Sequence, residues 1–367
     1  MKYASEFRDG KLAKKIVAEC EPDRSYTLME FCGGHTHTIA RYSLEEMLPD
    51  NIRLVHGPGC PVCVLPVGRV DSAIELARDH GVILCSYGDM MRVPGSHRMS
   101  LLKAKAAEVD IRMVWLTLDA LKIARENPGR EVAFLAIGFE TTTPSSAMAL
   151  KIAKAEGLTN FSIFCNHVLT PAAMRAILDG ESLPLQGIIG PGHVSAVIGI
   201  EPYQEFADRG QAIVVAGFEP LDLLQAILML TRQVNEGRRR VENAYVRALP
   251  AVGNEKAQTV IAETFQLRGA FEWRGLRCLP DSAMRVADAY ADFDAELKFS
   301  SRPYRAVPDP KSCACAEIVR GLKRPEQCPL FGRACTPDDP IGSCMISSEG
   351  ECAAHWLYGQ HRNKTAA

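Results

Sequence analysis

The 367-residue chain carries 42 Lys and Arg against 44 Asp and Glu, with 47% hydrophobic and 23% charged residues, the balance of an ordinary water-exposed globular protein. A net charge of −2 with both signs interspersed supplies no basic field for nucleic acid or anionic lipid, and the longest apolar runs, such as 212–216 and 226–230, are far shorter than the ~20 residues a membrane span needs. Residues 1–15 show no apolar signal-peptide core, which points to the cytoplasm. Thirteen cysteines in such a chain, an odd number, then indicate metal ligation or redox work instead of a disulfide framework.

Taken in order, short apolar runs alternate with helical patterns. A strand at Arg53–Val55 leads into Gly57-Pro58-Gly59, and a helix over Val70–His80 stops at Gly81. A strand at Val82–Cys85 leads into Tyr87-Gly88-Asp89, and one at Val132–Ile137 into Gly138-Phe139-Glu140-Thr141-Thr142. A helix over Ser145–Glu156 stops at Gly157, and Phe161–Cys165 is another apolar run. Ile188-Ile189 precedes Gly190-Pro191-Gly192-His193, Ile213–Ala216 precedes Gly217-Phe218-Glu219-Pro220, and a helix covers Leu221–Val234. Arg238, Arg239 and Arg240, followed by Glu242, read as a solvated helical connector. Pro303, Pro308 and Pro310 end regular structure and open a cysteine-rich tail. The expected fold is α/β, with two similar parallel-sheet α/β domains and a small irregular C-terminal iron–sulfur domain. The expected boundaries are 1–125 for the first domain, 126–235 for the second, 236–305 for a helical return segment packing on both, and 306–367 for the cluster domain.

Cys328, Cys335, Cys344 and Cys352 are separated by six, eight and seven residues in a Pro- and Gly-rich stretch, with Cys313 and Cys315 just upstream. Tetrahedral zinc usually draws its thiolates in pairs from Cys-x-x-Cys turns, which this tail lacks. Wide spacings favour a bulkier iron–sulfur cluster, whose irons accept thiolates from separate loops, with Gly332, Gly342 and Gly350 permitting close approach. Cys60-Pro61-Val62-Cys63 has the spacing of a redox dithiol, though half a zinc site looks the same. Cys32-Gly33-Gly34-His35-Thr36-His37 adds a third thiol and two imidazoles, soft ligands suited to low-spin iron or zinc. His35 is the expected functional imidazole and His37 a hydrogen-bonding partner within its turn.

Other residues have blander readings. Cys20, Cys85, Cys278 and, with less force, Cys165 read as small hydrophobes. Glu140, Thr141 and Thr142 stand where parallel sheets bind ligands, or simply cap a helix. Asn166-His167 and Gly192-His193 read as satisfied structural residues. No phosphate loop, complete dinucleotide fingerprint or His-Glu-x-x-His occurs.

Together, Cys32-Gly-Gly-His-Thr-His37, Gly57-Pro-Gly-Cys-Pro-Val-Cys63, Gly138-Phe-Glu-Thr-Thr-Thr143, Asn166-His-Val-Leu-Thr-Pro171, Gly190-Pro-Gly-His-Val194 and the end from Cys328-Pro-Leu-Phe-Gly through Gly350-Glu-Cys-Ala-Ala354 closely resemble the HypD family of hydrogenase maturation factors. The resemblance spans nearly the whole chain. It implies a scaffold, not a conventional turnover enzyme, on which the Fe(CN)2CO unit of [NiFe]-hydrogenase is assembled with a HypC-type chaperone and a HypE-type cyanide donor. It also implies a [4Fe-4S] cluster on Cys328, Cys335, Cys344 and Cys352, with Cys32 holding the iron and His35 beside it. Cys60 and Cys63 would be the redox dithiol or further iron ligands. Two other readings are an iron–sulfur thiol–disulfide oxidoreductase acting on a protein disulfide, and a zinc hydrolase using Cys32, His35 and Cys63.

Overall fold

The computed structural model describes residues 5–20, 24–180, 183–299 and 304–359. Its strands are β1 (Tyr26–Glu30), β2 (Ile52–His56), β3 (Ile83–Ser86), β4 (Ile111–Met113), β5 (Val132–Gly138), β6 (Phe161–His167), β7 (Gly187–Pro191), β8 (Ala212–Ala216), β9 (Val241–Asn243), β10 (Phe265–Trp273) and β11 (Arg277–Val286). The first nine form two parallel sheets, of order β2-β1-β7-β8-β9 and β4-β3-β5-β6, and the last two pair as an antiparallel ribbon. β3, β5, β6, β7 and β8 are buried along their whole lengths, as parallel strands covered on both faces must be. The α/β class and the paired parallel sheets agree with the sequence reading, and the cysteine-rich end is irregular apart from short turns and the helix Glu351–Gly359.

The helices fall where apolar periodicity put them, at Val67–His80, Thr143–Ala155 and Pro220–Asn235. Gly81 and Gly157 lie just past the ends of the first two at φ of 65° and 66°, a left-handed conformation that costs glycine nothing. Pro220–Asn235 carries Leu223, Leu224, Ile227 and Leu230 into the core beneath the first sheet. Among the described residues no helix is long and apolar enough to cross a membrane.

Two organisational expectations differ from the structure. The first sheet takes strands from two separated segments, β1 and β2 and then β7 to β9, so the expected division at 125/126 falls inside the second sheet, between β4 and β5. A parallel sheet built from βα units can admit strands from distant segments, and strand order is invisible to local periodicity. Secondly, 236–305 is not mainly helical. It contains β9, the helix Glu255–Thr264 and the β10–β11 ribbon, whose Phe271 and Trp273 are buried against Phe139, Val168 and Val194. The ribbon's period-two pattern is interrupted where its register shifts between Arg268 and Ala270, which blurs the strand signal. Arg238 accordingly leads into edge strand β9, its guanidinium bonded to Glu236 and Glu242.

Candidate thiol centre

Glu30, the last residue of β1, organises the first part of the site. Its buried carboxylate accepts the Cys32 N–H at 2.6 Å, the Thr36 hydroxyl and, at 2.7 Å, Nδ1 of His56 from the end of β2. Cys32 is thereby set, in extended conformation, at the N-cap of the helix Gly33–Arg41 and is wholly buried. The adjoining turn must come close: Gly33 N donates to Gly59 O at 3.2 Å, and a Cβ on Gly59 would lie 2.3 Å from Cys32 N. Only glycine fits there, which is the physical meaning of Gly57-Pro58-Gly59 before Cys60.

The imidazole that meets the thiol is His193, on the turn after β7, with Nδ1 3.3 Å from Cys32 Sγ. His35 instead turns its Nε2 to Ala216 O at 3.3 Å, and among the described residues its Nδ1 has no partner. Both rings lie 5.3 Å from Phe218, one on each of two tilted contacts. Burial pushes the Cys32 thiol well above its usual range, with the Glu30 charge adding to the effect. Burial also lowers His193, to about 4, with His35 adding to it. The resting pair is therefore a protonated thiol facing a neutral imidazole. His37 does not bond within its turn: it lies 3.4 Å from Ser348 O and 3.2 Å from the Tyr358 hydroxyl, joining the C-terminal segment to the Cys32 helix. The sequence reads His193 as structural, and its chemistry is hidden there because its partner lies 161 residues away.

Cys60 and Cys63 are joined as a disulfide across the single turn Pro61–Val64. Next to it, Cys63 O accepts the Ser343 hydroxyl at 3.0 Å, and Ser343 accepts Arg274 Nη1 at 2.8 Å. Ser343 directly precedes Cys344, so the dithiol loop and the cysteine-rich tail share a bonded seam. Cys313, Cys315, Cys328, Cys335, Cys344 and Cys352 all pack in one apolar cluster with Cys60 and Cys63. Thiol contacts run from Cys313 to Cys315, to Cys344 and to Cys352. A Cβ on Gly342 would lie 2.3 Å from Cys315 Sγ and 2.7 Å from Cys313 Sγ, and one on Gly350 would lie 2.3 Å from Cys344 O. The Cys315 thiol and burial raise Cys313; against the lowering bond with Cys313, the Cys344 thiol and burial raise Cys315; and against the bond with Cys344, burial pushes Cys352 up to about 12. Six cysteine sulfurs grouped in one apolar cluster are soft donors of the kind a thiolate-bound cluster would draw on, two more than the four it would use. Among the described residues no three His, Cys, Asp or Glu side chains are arranged to hold a single metal ion, so Cys32, His35 and Cys63 do not assemble as a zinc site.

The remaining motif residues are tied into the fold. Glu140 accepts Thr170 N at 2.9 Å and its hydroxyl at 2.8 Å, and burial raises its carboxyl to about 7. Asn166 Oδ1 accepts Arg69 Nε at 2.5 Å, and His167 Nε2 lies 2.9 Å from Ser146 Oγ. Cys20, Cys85 and Cys165 are buried as expected, but Cys278 is exposed on β11.

Paired parallel sheets carrying a buried thiol, a neighbouring dithiol and a nest of cysteines define a cysteine-centred α/β protein. The chain belongs to the HypD family: the profile described as "Hydrogenase formation hypA family" matches residues 9–359. It is 60% identical to the hydrogenase maturation factor HypD of Rhizobium leguminosarum bv. viciae, over 99% of this chain and 97% of that one. It is 56% identical to that of Azotobacter vinelandii, over 100% and 99%, and 43% identical to that of Escherichia coli strain K12, over 99% and 100%.

Proposed function

We propose that this hydrogenase maturation factor is the scaffold on which the Fe(CN)2CO unit of [NiFe]-hydrogenase is assembled, in the cytoplasm, with a HypC-type chaperone and a HypE-type cyanide donor. The observation that carries the reading is the continuity of the thiol chemistry. Cys32 and its imidazole lie one hydrogen bond from the Gly59–Cys60 turn, and Cys63 lies one hydrogen bond from the six-cysteine nest. Iron is cargo in this scheme, and Cys32 is its protein thiolate. The Cys32 proton must leave when a soft ion binds, and His193 Nδ1 is placed to take it. Four thiolates from the nest, drawn from Cys328, Cys335, Cys344, Cys352 and the added Cys313 and Cys315, would hold a [4Fe-4S] cluster, which when bound supplies single electrons. Opening the Cys60–Cys63 disulfide takes two electrons and two protons and frees two thiols beside the Cys32 loop.

The test is anaerobic purification with the partner maturation proteins present, followed by iron analysis and infrared spectroscopy of metal-bound cyanide and carbonyl. About four irons plus one, with those bands, is the expected result. Cluster iron without the bands in any partner complex would shift the reading to a thiol–disulfide oxidoreductase, which the paired Cys60 and Cys63 beside the nest favour as the alternative.

A further inference from the structure

Cys32 is wholly buried, although a thiol that takes up cargo must be reached from outside. The layer over it is thin. A Cβ on Gly34 would lie 3.0 Å from the Phe218 ring and 3.5 Å from Cys32 Sγ, so ring and sulfur share the open side of that glycine. Phe218 also flanks His193, and both rings are partly exposed, whereas Cys32 is wholly buried. The turn that carries it is fastened from two directions. Thr38 Oγ1 donates to Phe218 O at 2.7 Å. Glu219 receives both Nε (2.5 Å) and Nη2 (2.8 Å) of Arg8, from the N-terminal turn Ser5–Arg8. Phe7 of that turn lies under Arg247, 3.8 Å from ring centroid to guanidinium, and Arg247 grips Asp222 through two bonds of 2.5 and 2.6 Å. Asp222 in turn accepts the Glu219 N–H at 3.1 Å.

We propose that Phe218 is a gate over the Cys32 thiol and that Phe7 and Arg8 are its latch, so that displacement of the N-terminal turn admits a soft metal or a thiol-reactive group. The gate stands on geometry alone; its use in metallocentre assembly rests on the function proposed above. An ion pair this exposed, with Arg8 at 44% and Glu219 at 21%, holds such a latch only lightly. A loop fastened lightly opens far more often than the surrounding core unfolds.

The test is the rate of Cys32 alkylation by iodoacetamide in the full-length metal-free chain, read by peptide mass spectrometry. Exposed Cys278 and buried Cys85 serve as internal references. Arg8→Ala is expected to raise the Cys32 rate about two- to fivefold, the most that an exposed ion pair can carry, and Phe7→Ala with Arg8→Ala about tenfold, since the cation–π contact is lost as well. Phe218→Ala should raise it at least as much as the double variant. About 1 M salt, which shortens the screening length to ~3 Å, should accelerate the wild type and leave Arg8→Ala nearly unchanged. An unchanged Cys32 rate in Phe218→Ala and in the double variant overturns the gate, as does a parallel rise at Cys85, which marks general loosening. None of these readouts requires iron at Cys32, so they stand or fall apart from the infrared experiment.

Discussion

At the scale of single residues, the site depends on burial that a sequence does not display. Cys32 and His193 each have ordinary chemistry alone; packed together under burial they hold one proton between a thiol that resists losing it and an imidazole that resists gaining it. A cation of soft character would reverse that balance by replacing the proton. Cys32→Ala is therefore expected to retain the visible absorbance of the proposed cluster and to lose the cyanide and carbonyl bands. His193→Gln should retain the absorbance and lower the cargo iron recovered with the partner proteins by about tenfold, the scale of losing a residue that orients a metal thiolate. Loss of the cluster absorbance in either variant would contradict the separation of the two centres. Glu140 supplies a pH signature of a different kind. Its carboxyl is raised to about 7 in the fold, so the folded chain holds a proton that the unfolded chain has released between about pH 4.5 and 7. Its contribution is complete below the unfolded value and is lost as pH rises through the folded one, by about 3 kcal/mol in all. Glu140→Gln keeps an oxygen for Thr170 and should flatten that slope in denaturant titrations run from pH 5 to 8. A slope equal to that of the wild type would show that the carboxyl is not protonated there.

At the scale of elements, what was legible was what local periodicity encodes. The five strands expected at 53–55, 82–85, 132–137, 188–189 and 213–216 all exist, as do the three expected helices, because buried parallel strands are continuous apolar runs and their helices present one apolar stripe. The glycine-rich turns were legible as residue types, although what forces them is tertiary: Gly59 and Gly342 face neighbours that leave no room for a side chain. The β10–β11 ribbon was not, because its register shift breaks the period-two pattern, and neither was the pairing of β1 with β7, which joins segments far apart in sequence. Arg69 shows how such a contact holds two elements. It lies in the helix Val67–His80, with 4% of its side chain exposed. It bonds Asn166 and the Cys165 carbonyl of β6 and pairs with Glu296 at 2.6 Å. Burial works against ionisation of Glu296, but Arg69 and Arg268 overcome it and hold the carboxyl at about 2. That stability is present above the ordinary carboxylate range and is lost as pH falls from about 4.5 toward 2. Arg69→Ala leaves the largely buried Glu296 with Arg268 as its remaining cation and removes the bond to Asn166, so it should cost about 3 kcal/mol by urea denaturation at neutral pH. The deficit should shrink as pH falls toward 3, where Glu296 of the variant takes up a proton; a deficit independent of pH would mean that packing of the arginine stem, not its charge, is what matters.

At the scale of the whole molecule, several polar links connect the cysteine-rich end to the rest of the fold, and Arg274 is a buried one. It follows Trp273 at the end of β10, is buried, and donates to Ser343 Oγ at 2.8 Å while its backbone N–H reaches Val64 O at 2.8 Å; its Nε lies 3.2 Å from Asp309. One side chain thus ties the ribbon, the dithiol turn and the tail. If this seam keeps the six-cysteine nest against Cys60 and Cys63, Arg274→Ala should loosen the tail alone. The expected result is faster amide hydrogen exchange over residues 313–352, by a factor that reflects loss of a buried, hydrogen-bonded charge worth about 3–5 kcal/mol, with exchange in β5 and β6 unchanged. The same variant should bind cluster iron more weakly, because a thiol nest that opens must be closed again whenever metal binds. Exchange that quickened equally in β5 would instead make Arg274 a support of the whole fold. Exchange unchanged in the tail would assign its docking to the apolar contacts of Ile318, Met345 and Ile346, and the polar seam would then serve to set register rather than to hold.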